Sequence, residues 1–320
     1  NRGVQVNPDV KGRSSDSVSA QTVFFVLFAG IVAISFGSIF IRLSADVPPI
    51  MVATYRLLFS ALMLVPLFKF RGLRFSDLSL REWVLCTFSG IFLALHFITW
   101  ISSLSYTTVA NSVVLVTMNP IFVGLFSYLF LRERMTIQLI GGIVLSVAGS
   151  LVLTLSGTGS ANPTVPIDNA LLGNLLALSG AVMASFYIII GSKIRKKRDL
   201  ISYITVVYSI AAVVLLLTSI VLALPFSGYK PASYLYMFLL ALLPQMVGHT
   251  SFNWALKYLR SSMVAIVTMG EPVGATILAY LMFGETLTPM QIAGILLIFI
   301  AIYLASTRGG NRGIESVSSS

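Results

Sequence analysis

Charge is what this chain lacks. Only 10% of its 320 residues are Asp, Glu, Lys or Arg, against roughly 25% in soluble domains. Hydrophobic residues make up 57%, and mean hydropathy is +0.92. A soluble fold has no place for so many apolar side chains, so that class is excluded; a lipid solvent sets no such limit. Acids are scarcer than bases, 11 against 21. The resulting +10 does not point to nucleic acid, because the basic residues sit in short loops between apolar runs, where a topology signal belongs. A single cysteine, Cys86, excludes an internal disulfide. No group of His, Cys and carboxylate has metal-ligand spacing, so neither a metal nor any other cofactor is expected. No Walker-type loop occurs, so ATP is not the expected direct driver. No His-Glu-x-x-His occurs and Asp is confined to loops and tails, so an enzyme is not expected. Residues 1–20 have no apolar h-region, so no cleavable signal peptide is expected there.

What the chain has is ten apolar segments, at about 22–41, 50–68, 83–103, 108–131, 137–155, 170–191, 201–224, 234–256, 261–283 and 290–306. Each is close to the roughly 20 residues needed to cross a hydrocarbon core of about 30 Å. Strand alternation is missing, so all ten are expected to be helices. Eighteen of the 21 basic residues lie in the two tails or in loops on one side of these segments. They include Lys69, Arg71, Arg74 and Arg81, Arg132 and Arg134, the run Lys193 to Arg198, Lys257 and Arg260. Arg42 and Lys230 lie on the other side, and Arg56 lies inside a span. The positive-inside rule then puts both termini in the cytoplasm, in agreement with an even number of spans.

The chain divides near its middle. Residues 157–169, with the turn-rich Gly157 to Pro166 run, read as an external linker between two five-span halves, 22–156 and 170–306. Residues 1–21 and 307–320 read as disordered tails. The halves resemble one another. Tyr106, Pro120, Tyr128, Glu133, Thr136 and Gly142 recur 152 positions later as Tyr258, Pro272, Tyr280, Glu285, Thr288 and Gly294. Gly30 and Phe36 are echoed more loosely by Gly180 and Phe186. Five is odd, so the second copy crosses the membrane in the opposite sense. The expected fold is an all-α polytopic membrane protein of ten transmembrane helices, built as two inverted-topology five-helix repeats. Such repeats are typical of secondary transporters.

Three stretches carry a family resemblance: ATYRLLFSALML around Arg56, NPIFVGLFSYLFLRERMTIQLIGGIVLSVAGSLVL from Asn119, and EPVGATILAYLMFGETLTPMQIAGILLIFIAIYLA from Glu271. With ten spans and two repeats, the chain resembles the EamA family of the drug/metabolite transporter superfamily over roughly residues 22–306. The resemblance implies transport, commonly export, of metabolites such as amino acids, drugs or nucleotide-related compounds. It also implies a multi-pass protein of a bacterial or archaeal cell membrane.

Ionisable groups within spans are costly and point to function. Glu271 lies ten residues past Ser261, about 15 Å along a helix and near the bilayer midplane. A carboxyl group there suits a proton carrier, a contact for a substrate amine, or a buried acid paired for packing. Arg56 is its natural partner, about 9 Å from the external side. It can pair with Glu271 or meet a substrate carboxylate or phosphate. His96 and Trp100 share one face of the third span, and Gln245, His249 and Asn253 form a polar stripe at i, i+4 and i+8 on the eighth. The stripe lines a cavity or joins helices. Pro120 and Pro272 should break their spans, and each follows a polar residue, Asn119 or Glu271. Phe97, Phe186 and Tyr187 are among the aromatics available as apolar walls. Glu133 and Glu285 lie at opposite membrane faces, where gate or cap roles fit.

The reading is a secondary active transporter working by alternating access, driven by a proton gradient or by exchange, with a lipid flippase or scramblase and a channel as alternatives. Expected partners are a small-molecule substrate and the lipid bilayer, without nucleic acid, as a monomer or homodimer.

Overall fold

The computed structural model describes residues 18–74, 78–103, 106–107, 109–156, 169–284 and 287–309. Most of the expected linker, most of both tails, and Glu285 lie outside the described residues. The described part is helical, and ten helices have the length and composition to cross a membrane. They are α1 (Ala20–Leu43), α2 (Pro49–Phe70), α3 (Leu80–Ser103), α4 (Ser112–Leu131), α5 (Ile137–Leu155), α6 (Ala170–Arg195), α7 (Leu200–Val221), α8 (Pro231–Ala255), α9 (Ser261–Phe283) and α10 (Pro289–Ser306).

Local chemistry sets the helix starts. Proline, whose missing N–H costs nothing in the first turn, opens α2, α8 and α10. Asp199 caps α7 by accepting from the N–H groups of Ile201 and Ser202. Ser79 and Glu82 form a reciprocal capping box at α3, with Ser79 N–H donating to Glu82 Oε2 at 2.9 Å. Two ends run further than hydropathy indicates, because a helix does not need apolar residues once it leaves lipid. The last helix continues to Gly309. The sixth continues to Arg195, whose guanidinium turns back and donates from Nε to the Asn253 carbonyl at 3.0 Å.

Helix packing follows the repeat. Helices 1 to 5 correspond to 6 to 10, so a pseudo-two-fold relation maps the α3–α6 contact onto α8–α1, α4–α6 onto α9–α1, and α3–α7 onto α8–α2. All six contacts are present, and the self-related pairs α5–α10 and α2–α7 pack together. Apolar side chains of α2, α3, α6 and α7 form one core cluster, and those of α1, α5, α8, α9 and α10 another.

The loops sort onto two faces. On the basic face, Arg198 grips Glu82 through two hydrogen bonds, 2.7 Å from Nε and 2.5 Å from a terminal nitrogen. On the opposite face, Asp46 accepts from the Ser233 hydroxyl at 2.6 Å and the Lys230 N–H at 2.9 Å. Those bonds, the hydroxyl's first, hold the Asp46 carboxyl below its usual pKa.

Candidate functional site

Both proline-broken helices are present. In the fourth, Val109–Val116 and Asn119–Phe126 are separate helical pieces; in the ninth, Ser261–Thr268 and Gly270–Phe283. Pro120 and Pro272 cannot donate to the preceding turn, and each break falls just upstream of its proline. A third irregularity was not foreseen. Residues Ala241–His249 of α8 form a π-helix around Pro244, with the Thr250 N–H donating to the Gln245 carbonyl five residues back. Proline next to a polar residue in mid-span was the available sequence signal, and it matches the pattern at Asn119 and Glu271. The wider turn re-aims the α8 stripe. Gln245 faces α2, Asn253 faces α6 and α7, and His249 lies between them beside α3.

Arg56 projects from α2 and is 6% exposed. Its Nε donates to Gln245 Oε1 at 2.8 Å, and its guanidinium carbon stands 4.9 Å over the Phe97 ring. One of its terminal nitrogens is buried without a hydrogen-bond partner, as is Nε2 of the fully buried Gln245. Of the anions open to Arg56, Glu271 is not in contact: among the described residues, no ion pair within 4 Å joins them. The cause is positional. Glu271 lies on α9, which packs against α1 and α10, whereas α2 packs against α7 and α8.

Phe97 links the two histidines. Its ring centroid is 5.1 Å from that of His96 and 6.3 Å from that of His249. His96 Nδ1 lies 2.9 Å from the Gly180 carbonyl. A carbonyl only accepts, so Nδ1 carries the proton and, in the neutral ring, Nε2 is left as an acceptor. Trp100 stacks on His96 at 6.0 Å, and its Nε1 is buried and unpartnered. Gly180 permits this, since a Cβ there would stand 3.2 Å from Trp100 Cβ. Asn253 joins three helices, its Nδ2 donating to the hydroxyls of Tyr187 at 2.6 Å and Tyr208 at 3.2 Å. Tyr208 gave no sign of this in the sequence, because a tyrosine in an apolar run reads as packing.

Asn119, 8% exposed, begins the second piece of α4, and its Oδ1 has no partner. Glu271 sits in the first turn of the second piece of α9, where the helix dipole favours an anion. It is half-buried, and its carboxylate makes no hydrogen bond or ion pair among the described residues. Its backbone carbonyl accepts from Ser35 Oγ of α1 at 3.3 Å. The structure thus gathers Arg56, Gln245, His249, His96 and Trp100 around Phe97, places Asn253 as a junction beside them, and sets Asn119 and Glu271 at two helix breaks.

The pseudo-symmetry is broken between α4 and α9. The Asn119–Phe126 piece of α4 packs on the Ser261–Thr268 piece of α9 near the basic face. The carboxylate of Glu133 accepts there from the N–H and hydroxyl of Ser261, the latter at 3.0 Å, and from the Ser262 hydroxyl. Ser127 and Ser261 hydroxyls meet at 2.8 Å. Ser261 to Val267 are all buried. Towards the opposite face Val109–Val116 packs on α6 and α5, and Gly270–Phe283 on α1 and α10, with no comparable contact between the two pieces among the described residues. Val113 to Met118 are half-buried at every position, without the periodic burial of a helix packed along one side. Glu133 thus acts as the cap of α9 and a latch between repeats. Glu133→Ala is expected to cost about 1–2 kcal/mol, the value of a lost N-cap. It should appear as a lower Tm of the purified protein, with Ser261→Ala adding little on top.

The EamA-like transporter family model matches twice, over residues 21–155 and 171–307. An uncharacterized transporter of Clostridium kluyveri is 24% identical over 262 residues, covering 79% of this chain and 81% of the relative. The uncharacterized transporter YvbV of Bacillus subtilis is 25% identical over 268 residues, covering 82% and 83%. An uncharacterized transporter of the archaeon Methanothermobacter thermautotrophicus is 26% identical over 209 residues, covering 62% and 57%. A solved crystal structure superposes with a TM-score of 0.77 at 18% identity, covering 92% of this chain and 99% of that one, a likeness of fold. Ten spanning helices, a fold built twice over and a family model matched by each copy lead to one assignment: the chain is a multi-pass integral membrane protein that belongs to the EamA-like transporter family.

Proposed function

We propose that this protein is a secondary active transporter that exports small metabolites, amino acids or related compounds among them, by alternating access driven by a proton gradient or by exchange. The observation that carries this reading is the asymmetry of α4 and α9. They are latched by Glu133 on the basic face, without a comparable contact towards the other among the described residues. The positive-inside rule makes the basic face cytoplasmic, so this arrangement is the outward-facing one. In an inverted repeat, exchanging the conformations of the two halves yields the opposite state. The latch would then form at the other face, where Glu285 corresponds to Glu133 by sequence. Glu271, unpaired at a helix break, is the proton carrier of this scheme, and the orphaned donors around Phe97 face the substrate.

The test is flux in liposomes. The reconstituted protein, given a radiolabelled panel of amino acids and related metabolites with and without a pH gradient, is expected to show saturable uptake, raised by the gradient. An ohmic, unsaturable current in place of saturable flux would sink the carrier reading.

A further inference from the structure

We infer that Arg56 and Gln245 together form a subsite for a single carboxylate group of the transported molecule. The inference rests on the transporter reading of the same interior, and deepens it by assigning the substrate's charge and the residues that read it.

Arg56 is a cation that cannot shed its proton, buried inside the bundle with no carboxylate within 4 Å among the described residues. Burying a charge without an ionic partner is costly, and a site that tolerates it holds the charge for something that arrives later. Gln245 and Phe97 supply partial relief through one hydrogen bond and a cation–π contact. Neither neutralises the charge.

The geometry of that hydrogen bond fixes what remains open. Arg56 Nε is a donor, so the Gln245 oxygen must face it, and the amide nitrogen is turned away. A terminal nitrogen of Arg56 and Nε2 of Gln245 are therefore two unfilled donors, one on each side of a single 2.8 Å bond. Both side chains are more than nine-tenths buried. Two donors and one positive charge match the two oxygens and one negative charge of a carboxylate. A phosphate fits worse. It brings up to two charges and a third oxygen to a site with one cation and two open donors. Arg56 thereby sets specificity through the acid end of the substrate, leaving the rest of the molecule to the aromatic walls.

The test uses the full-length purified protein and matched probes: L-leucine, its deaminated analogue 4-methylpentanoate and L-leucinamide; L-phenylalanine, 3-phenylpropionate and L-phenylalaninamide; and inorganic phosphate. Thermal shift titrations are expected to show saturable stabilisation by at least one acid. The matched amide should bind at least about tenfold more weakly, and phosphate should give no shift. Arg56→Gln should abolish the acid's shift, while Arg56→Lys and Gln245→Ala should each weaken it. The last two keep the test alive should Arg56→Gln fail to fold. The subsite is overturned if no acid stabilises the protein, if an amide or phosphate binds as well as the acid, or if the variants bind unchanged. Flux separates this failure from that of the transporter reading. Acid-selective binding without transport refutes transport alone, and transport of amides as fast as acids refutes the subsite alone.

Discussion

Glu271→Gln is expected to abolish gradient-driven accumulation while leaving downhill exchange of substrate intact. The change is nearly isosteric, and the carboxylate it removes makes no hydrogen bond or ion pair among the described residues, so little of the fold depends on it. The structural contact at this residue comes through its backbone carbonyl, which accepts from Ser35 in either case. What the amide lacks is the ability to take up and release a proton at a position near the midplane. One pH unit is worth about 1.4 kcal/mol per proton, so one proton per substrate sustains about tenfold accumulation. The variant should equilibrate at a ratio of about one, while counterflow of labelled against unlabelled substrate proceeds as in the wild type. Accumulation by the variant equal to the wild type's would remove Glu271 from the coupling mechanism.

Much of this could be read without coordinates, for a physical reason. Lipid forces every span to satisfy its own backbone hydrogen bonds, so apolar length alone locates the helices, and loop charge sorts their ends. The breaks at Pro120 and Pro272 were legible because proline acts locally. Contacts across the bundle were not. Arg56 and Glu271 stand out as the lone intramembrane arginine and acid, but the sequence leaves open whether they meet; α1 and α8 stand between their helices, and Arg56 bonds to Gln245. The i, i+4, i+8 stripe assumed a regular helix, and the π-segment around Pro244 changed which neighbour each member meets. Tyr208 and Ser35 were missed because hydroxyls in apolar runs carry no periodic signal. Glu133 was placed at a face but not on its partner, since Ser261 is 128 residues away and only the repeat brings α4 to α9.

Gly294→Val is expected to prevent folding, and its consequences separate scaffold from machinery. The fifth helix of each repeat, α5 and α10, pack on one another across the pseudo-axis at glycines. A Cβ on Gly294 would stand 2.7 Å from the Leu153 amide nitrogen and 2.8 Å from the Gly149 carbonyl oxygen. A Cβ on Gly149 would stand 2.9 Å from the Gly294 carbonyl. These neighbours are backbone and cannot rotate away, so the helices must separate along their length. Membrane helices lack a hydrophobic force to hold them together and depend on such close approach. Overpacking a core typically costs about 1–3 kcal/mol; here it comes with loss of the interface itself. Purified Gly294→Val, and equally Gly149→Val, should elute as aggregate or fail to accumulate in the membrane. Gly141→Ala on the same helix provides the contrast. Its Cβ would meet the end of the Leu304 side chain at 3.1 Å, which can turn aside, so that variant should be monodisperse with nearly wild-type flux. If Gly294→Val folds and transports, α5 and α10 are not the fixed pair against which α4 and α9 move. The rocking axis would then have to be sought in the other self-related contact, between α2 and α7.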